Sequence, residues 1–429
     1  MLRARFLPAA LAALLAAAPP AALPGRAAEM LNPLLRAVPE ARFAEPYRRG
    51  LTALAEGRPE AAETAFREAA AAAPESFMPL LGLADALWRQ GKREPAAEAL
   101  RQAMAVAPDS RAPRQAWARF LAASGQIDEA IAAYRALIEG DAEAVSARID
   151  LADLLVTVKR DPAAAEPLYR AALAREPDHG GARYALGNAL MLLGRLDEAR
   201  QEIRTAMAAS PGNPLPPYLL GQVELRAGAP DAALAAFDQA IAAAPRFMPG
   251  HLARGDVLLA RRDGAAAREA FRRALEIVPE SVPALIGLGQ ANQVLGETAE
   301  AEEAYRRALA RDPDAAIALN NLAWLLAEQG RDLPQAEAWA RRAVALVPAR
   351  PEMRATLGWV QRARGDLAGA AASLEEAARL GATPAILVQL GAVYLDLGRR
   401  AAAAAAADRA LALDPAFEPA HALKRSAGL

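Results

Sequence analysis

Proline recurs through this chain on a fixed pitch. Pro74 and Pro108 lie 34 residues apart, and Pro177, Pro211, Pro245, Pro279 and Pro313 follow one another at the same step. Pro348 comes 35 residues later and Pro415 a further 67, two periods less one. Each closes an Ala-rich stretch, as in AAAAAP, AVAP, EIVP and ALVP. Proline has no N–H to give to a helix, and its ring collides with the preceding turn, so each stretch reads as a helix that stops there. A period of this length describes a stack of helix pairs. Every unit buries its apolar side against its neighbours rather than in a common core. Composition agrees: hydrophobic residues make up 54% but aromatic ones only 5%, so Ala carries much of the total. Ala is the best helix former and lets helix axes approach closely. No long alternation of Val, Ile and Thr marks a strand.

Counted with proline at position 32, eleven repeats run from 43–76 to 384–417, and those at 145–179 and 316–350 carry one extra residue. Position 8 is Gly or Ala throughout, from Gly50 to Gly391, and position 20 is Ala throughout, from Ala62 to Ala403. Position 27 is Ala except at Leu137, and position 24 is usually large, as at Phe66, Tyr134, Phe237, Phe271 and Tyr305. Positions 4, 7, 8 and 11 share one helical face, and positions 20, 24 and 27 share a face of a second helix. Gly at position 15 in nine repeats, for example Gly91, Gly194 and Gly365, supplies the permissive backbone of a turn between them. The small residues predict two closely packed helices, and the large one predicts a plug against the next repeat.

This pattern resembles the tetratricopeptide repeat family. Leu186-Gly187, Leu220-Gly221, Leu288-Gly289, Leu357-Gly358 and Leu390-Gly391 match its Leu-Gly at positions 7 and 8, in phase with the Ala, large and Pro positions above. The resemblance spans 43–417. It implies an all-α fold, an α-solenoid of about eleven helix pairs forming a right-handed superhelix. First helices would line the concave side and second helices the convex side. Arg49 and Arg254 depart from it at position 7, Ala142 and the Gly381-Ala382 step replace proline, and Ala340 and Ala407 weaken position 24. These departures read as local bends in the same fold.

The two ends read differently. Residues 1–28 have the form of an export signal, with Arg3 and Arg5 ahead of an apolar run from Phe6 to Ala18 and a break at Pro19-Pro20. Such a run spans about 20 Å as a helix, short of a bilayer core of about 30 Å. A cleaved signal and a periplasmic chain are therefore expected, with an uncleaved anchor as the alternative. In the linker 29–42, Asn32-Pro33 has the form of a helix N-cap followed by proline at the first helical position, which predicts a short capping helix over 31–40. Residues 418–429 are expected to form a last, brief helix laying Leu423 on the eleventh repeat. That end is a candidate for pairing with a partner or with a second copy.

Fifty basic and 51 acidic residues leave a formal charge of -1, which gives no strong field for nucleic acid or an anionic membrane. The near-exclusive use of Arg over Lys fits either forked contacts to carboxylates and phosphates or a simple coding bias. With no Cys there is no disulfide, thiolate zinc site or lipid-modified cysteine. His179, His251 and His421 lie far apart, no phosphate-binding glycine loop or nucleophile motif is present, and acidic pairs such as Glu302-Glu303 and Glu375-Glu376 are expected to be solvated. No catalytic residue, cofactor or metal is expected.

In the family, ligands meet positions 2, 5, 6, 9, 12 and 13 of the first helices. Position 9 reads Asp153, Asn188, Gln222, Asp256 and Gln290 in five successive repeats, and position 5 gives Tyr184 and Tyr218. Asn320 and Asn321 extend this row, with Trp324 and Trp359 at position 9 further on. One polar group per repeat suits an extended peptide or protein segment. The plainer reading is a wall that is polar because it faces water, with the Trp pair packing between repeats. The Lys-rich carboxylate clamp of chaperone-binding members is missing, because Lys92, Lys159 and Lys424 are the only lysines and do not form it; Arg48 and Arg119 are poor substitutes. The expected function is a non-catalytic scaffold of the cell envelope. The run Leu319 to Leu326, followed by Leu357-Gly358-Trp359-Val360, resembles exported repeat proteins of exopolysaccharide or surface-assembly systems, which gives an accessory role there as the alternative. A binding domain serving a glycan enzyme is the least favoured, since aromatic residues are too sparse for a stacking track.

Overall fold

The computed structural model describes residues 43–141 and 143–428. The segment read as an export signal, the capping helix expected at 31–40 and Ala142 lie outside the described residues. Among those described, the chain forms 23 α-helices and no strand. It divides into two compact units, Met1–Ala209 and Ser210–Leu429. The first unit holds five pairs: α1 (Ala44–Ala55) with α2 (Pro59–Ala72), α3 (Met78–Arg89) with α4 (Arg93–Val106), α5 (Arg111–Ala123) with α6 (Ile127–Gly140), α7 (Val145–Leu154) with α8 (Pro162–Arg175), and α9 (Gly180–Leu192) with α10 (Leu196–Ala209). The second begins with α11 (Leu215–Arg226) and α12 (Pro230–Ala243), α13 (Met248–Ala260) and α14 (Gly264–Ile277), and α15 (Val282–Leu295) and α16 (Thr298–Arg311). It continues with α17 (Ala316–Glu328) and α18 (Leu333–Leu346), α19 (Pro351–Ala363) and α20 (Leu367–Gly381), α21 (Pro384–Asp396) and α22 (Arg400–Leu413), and closes on α23 (Glu418–Ala427).

Each pair turns through a left-handed residue. In nine turns this is the position-15 glycine, with φ between 63° at Gly330 and 84° at Gly365. Arg262 takes the same role at φ 60° without the freedom of glycine, which costs roughly 1 kcal/mol. The extra residue of 145–179 is absorbed as one π-helical turn, Leu155–Lys159, that prolongs α7 and ends on Arg160 at φ 55°. In 316–350 a second left-handed residue, Asp332 at φ 43°, follows Gly330 and takes up the insertion.

The glycines at position 8 are there for contact. A Cβ on Gly255 would lie 2.6 Å from the Phe271 ring, and one on Gly287, in the next repeat, would lie 2.3 Å from it. Phe271 is thus clasped between its own repeat and the following one and is fully buried, a contribution of about 2 kcal/mol from its area alone. Phe66 is held the same way between Gly50 and Gly82. On the last repeat Leu423 of α23 does this for Gly391, whose Cβ would meet Leu423 Cδ2 at 2.3 Å.

Close contacts between successive repeats distinguish the two helix sets. In the second unit α13 touches α15, α15 touches α17, α17 touches α19 and α19 touches α21, whereas second helices contact the first helix of the next repeat instead. First helices therefore crowd the inner side of the stack and form its wall.

Candidate functional site: the first-helix wall

Several polar side chains close to the turns bond to the backbone or to a charge on a neighbouring helix. His179 caps α9, accepting the Ala182 N–H on Nδ1 at 3.0 Å. At position 4, His251 Nε2 donates to the Pro245 carbonyl at 3.0 Å and His421 Nε2 to that of Pro415 at 2.9 Å. Arg183 Nε does the same for Pro177 at 2.9 Å. All three histidines thus serve the backbone, and among the described residues no cluster of His, Asp and Glu gathers to hold a metal. The three lysines are also engaged: Lys92 with Glu63, Lys159 with Asp128 and Lys424 with Asp408, at 2.9, 2.6 and 2.7 Å.

On the outer side, Glu63, Glu166, Glu302 and Glu337 each accept from an Arg four residues on and from a base in the next repeat. Glu302, for example, takes Arg306 Nη2 at 2.9 Å and Arg331 Nη1 at 3.2 Å. It is half-buried within this network, not freely solvated as its place in an acidic pair suggests, because two long guanidinium chains lie across it.

The wall of the first unit carries a bonded cluster. Arg119 of α5 donates from Nε and Nη2 to the two oxygens of Asp150 on α7, at 2.7 and 3.2 Å, and Gln115 Nε2 reaches the same carboxylate at 2.8 Å. Asp153 is exposed on α7 and accepts the hydroxyl of Tyr169 at 2.5 Å. Crowding by protein raises the Asp153 carboxyl above its usual value, against the lowering effect of the Tyr169 bond, and Asp150 nearby adds to the rise. Tyr184 and Asn188 are half-buried on α9. Gln115, Arg119 and Asp150 stand at positions 5, 9 and 6, so the wall positions themselves signal them. The row read at position 9 alone passes over Gln115 and Asp150.

In the second unit, Tyr218, Gln222 and Asp256 come together. Tyr218 is half-buried, with its ring centroid 5.7 Å from that of Phe237 and 5.4 Å from that of Phe247. Burial raises the Tyr218 hydroxyl, Gln222 beside it offsets this in part, and the Asp256 charge adds to the rise. Asp256 is exposed by area, yet its carboxyl is pushed up to about 6 by desolvation. Gln290 is half-buried one repeat on, and Asn320 Nδ2 donates to Asn321 Oδ1 at 3.2 Å. Apolar groups flank the polar row: Leu225 is 42% and Val294 45% exposed.

Further along, the indoles of Trp324 and Trp359 stack with centroids 5.2 Å apart and planes 17° from parallel. The Arg362 guanidinium carbon lies 5.0 Å from the Trp359 centroid, and its Nε donates to Asp396 at 2.6 Å. An open hollow of about 550 Å³ is lined here by Ala327, Glu328, Trp359, Arg362, Ala363 and Asp396. All six occupy positions 9, 12 or 13 of α17, α19 and α21, so the hollow belongs to the wall.

No curated protein matches the sequence. Among solved structures, a chain of the APC/C hetero-tetramer Cut9-Hcn1 is similar at 14% identity and a TM-score of 0.51, over 92% of this chain and 98% of that one. Yeast Tom70 is similar at 13% identity and a TM-score of 0.44, over 90% and 95%. A thermophilic repeat protein of Thermus thermophilus reaches 28% identity over 42% of this chain and 98% of its own, at a TM-score of 0.39. Family models described as tetratricopeptide repeat match residues 53–119, 158–214, 218–282, 286–351 and 384–417. These matches cover well over half of the chain, and the chain belongs to the tetratricopeptide repeat family.

Proposed function

We propose that this chain is a scaffold that holds another protein, by an extended segment, against the first-helix wall. The carrying observation is the group formed by Tyr218, Gln222 and Asp256. Asp256 is exposed on α13 with its carboxyl pushed up to about 6 by desolvation, and among the described residues no hydrogen bond or ion pair engages it. Its neighbours supply what an extended segment needs: an amide that both donates and accepts, an aromatic face, and the apolar margins Leu225 and Val294. The form of residues 1–28 supports export to the envelope as the setting. Such a wall works by multi-point contact on a preformed surface, with no group transfer.

The test is affinity capture by the mature chain from envelope extract, with Gln222→Ala and Asp256→Asn beside the wild type. Loss of the same captured protein from both variants is expected. Tyr218→Phe is the variant to use at the third position, because Tyr218 also packs on Phe237 and Phe247 and an alanine there would disturb the repeat. Identical capture by all forms would remove this wall as the site.

A further inference from the structure

The hollow beside the Trp pair carries a more specific assignment, which rests on the scaffold reading above. Its charges do not balance. Asp396 is answered by Arg362, whereas Glu328 lines the hollow, is exposed, and has no ion-pair partner among the described residues. A cation therefore completes it and an anion does not. The rest of the lining narrows the kind of cation. Trp359 brings to it a half-buried indole, stacked on that of Trp324, and indole is the best side-chain acceptor of a cation over its ring. Arg362 already lies 5.0 Å from the Trp359 centroid while its edge is held by Asp396, so the chain itself displays a guanidinium in the contact at issue. A flat, weakly hydrated guanidinium stacks on an aromatic face and forks to a carboxylate, whereas an ammonium is a strongly hydrated point charge.

The geometry points to this hollow as the seat of an arginine side chain from the bound segment, its guanidinium paired to Glu328 and lying against the Trp359 indole. The free volume of about 550 Å³ accommodates the side chain with its flanking backbone. Other charges at wall positions of this unit favour the same sign. Asp256 and Glu352 are acidic, against a single further base, Arg226.

The experiment titrates N-acetyl-arginine amide into the whole mature chain and follows the indole N–H resonances. Trp324 and Trp359 are expected to shift, with Trp88, Trp117 and Trp339 as unmoved internal references. N-acetyl-citrulline amide, the same shape without the charge, is expected to leave them in place. Glu328→Gln is expected to weaken the arginine response about tenfold or more, the usual loss when a charged hydrogen-bond partner is removed. No shift of the Trp pair, an equal response to citrulline, or an unchanged response in Glu328→Gln would overturn the assignment. An equal response to N-acetyl-lysine amide would overturn the guanidinium in favour of any cation. If arginine fails here while capture still depends on Gln222 and Asp256, this inference falls and the scaffold reading stands.

Discussion

Asp256 shows at the scale of one residue how the wall differs from the rest of the surface. An aspartate in an unfolded chain titrates near 4, whereas here the carboxyl is pushed up to about 6 by desolvation. The folded state thus holds this proton more tightly than the unfolded one. Its favourable contribution is complete below about 4 and is lost as pH rises through about 6. Asp256→Asn is therefore expected to raise the melting temperature at pH 7.5 and to change it little at pH 4. Equal effects at both values would show that the carboxyl is not perturbed. Gly287 makes the opposite point, that a missing side chain can be as specific as a present one. Its Cβ would sit 2.3 Å from the ring of Phe271, which is fully buried and pressed from the other side by Gly255. Gly287→Ala is expected to cost about 1–3 kcal/mol in a urea melt, the range for overpacking a tight core. Wild-type stability in that variant would mean that the ring can step aside.

Between elements, the recurrent device is a glutamate on a second helix that accepts from its own helix and from the next repeat. Glu337 takes Arg341 Nη2 at 2.6 Å and also Arg364, and is 6% exposed. Removing it leaves two guanidinium groups with less to hold, although both are largely solvated. Glu337→Ala is expected to cost about 1 kcal/mol, at the upper end for pairs with exposed partners. Much of that difference should vanish in 1 M salt, where charges are screened within about 3 Å. A salt-independent loss would indicate a packing defect instead. For Glu63 and Glu166 burial alone would raise the carboxyl, but the bonds from Lys92 and Gln90, and from Arg170 and Arg195, outweigh it and lower both. Their support is present above the ordinary carboxylate range and fades as pH falls through the lowered values. The helices of these pairs and their turns were legible in the sequence, because period, proline and glycine act locally. The staples were not, because Arg spaced around the face of an Ala-rich helix looks alike whether it meets a carboxylate 29 residues away, as Arg195 meets Glu166, or only water.

On the scale of the molecule, the substantial helix–helix contacts among the described residues of each unit join near neighbours, so stability passes from repeat to repeat without a central core. Hydrogen exchange is accordingly expected to be fastest in α23 and slower through α19 to α15, since an end helix has a neighbour on one side only. Uniform protection across these helices would contradict nearest-neighbour stability. Of the candidate site, the sequence placed Tyr218, Gln222 and Asp256 on one wall by helical spacing, and put the two tryptophans at equivalent positions. It left open whether those indoles pack or bind, and although Arg362 and Asp396 stand at wall positions 12 and 13, it did not show that they meet at Trp359. The 34-residue period, with small residues at positions 8 and 20 and a large one at 24, by itself determined paired helices and their order, because each constraint acts within a repeat or on the next one. Only the tertiary structure decided which side chains of α17, α19 and α21 close around a shared hollow. That depends on the separation and rotation of helices roughly a full repeat apart, quantities set by packing and not by the pattern of residue types.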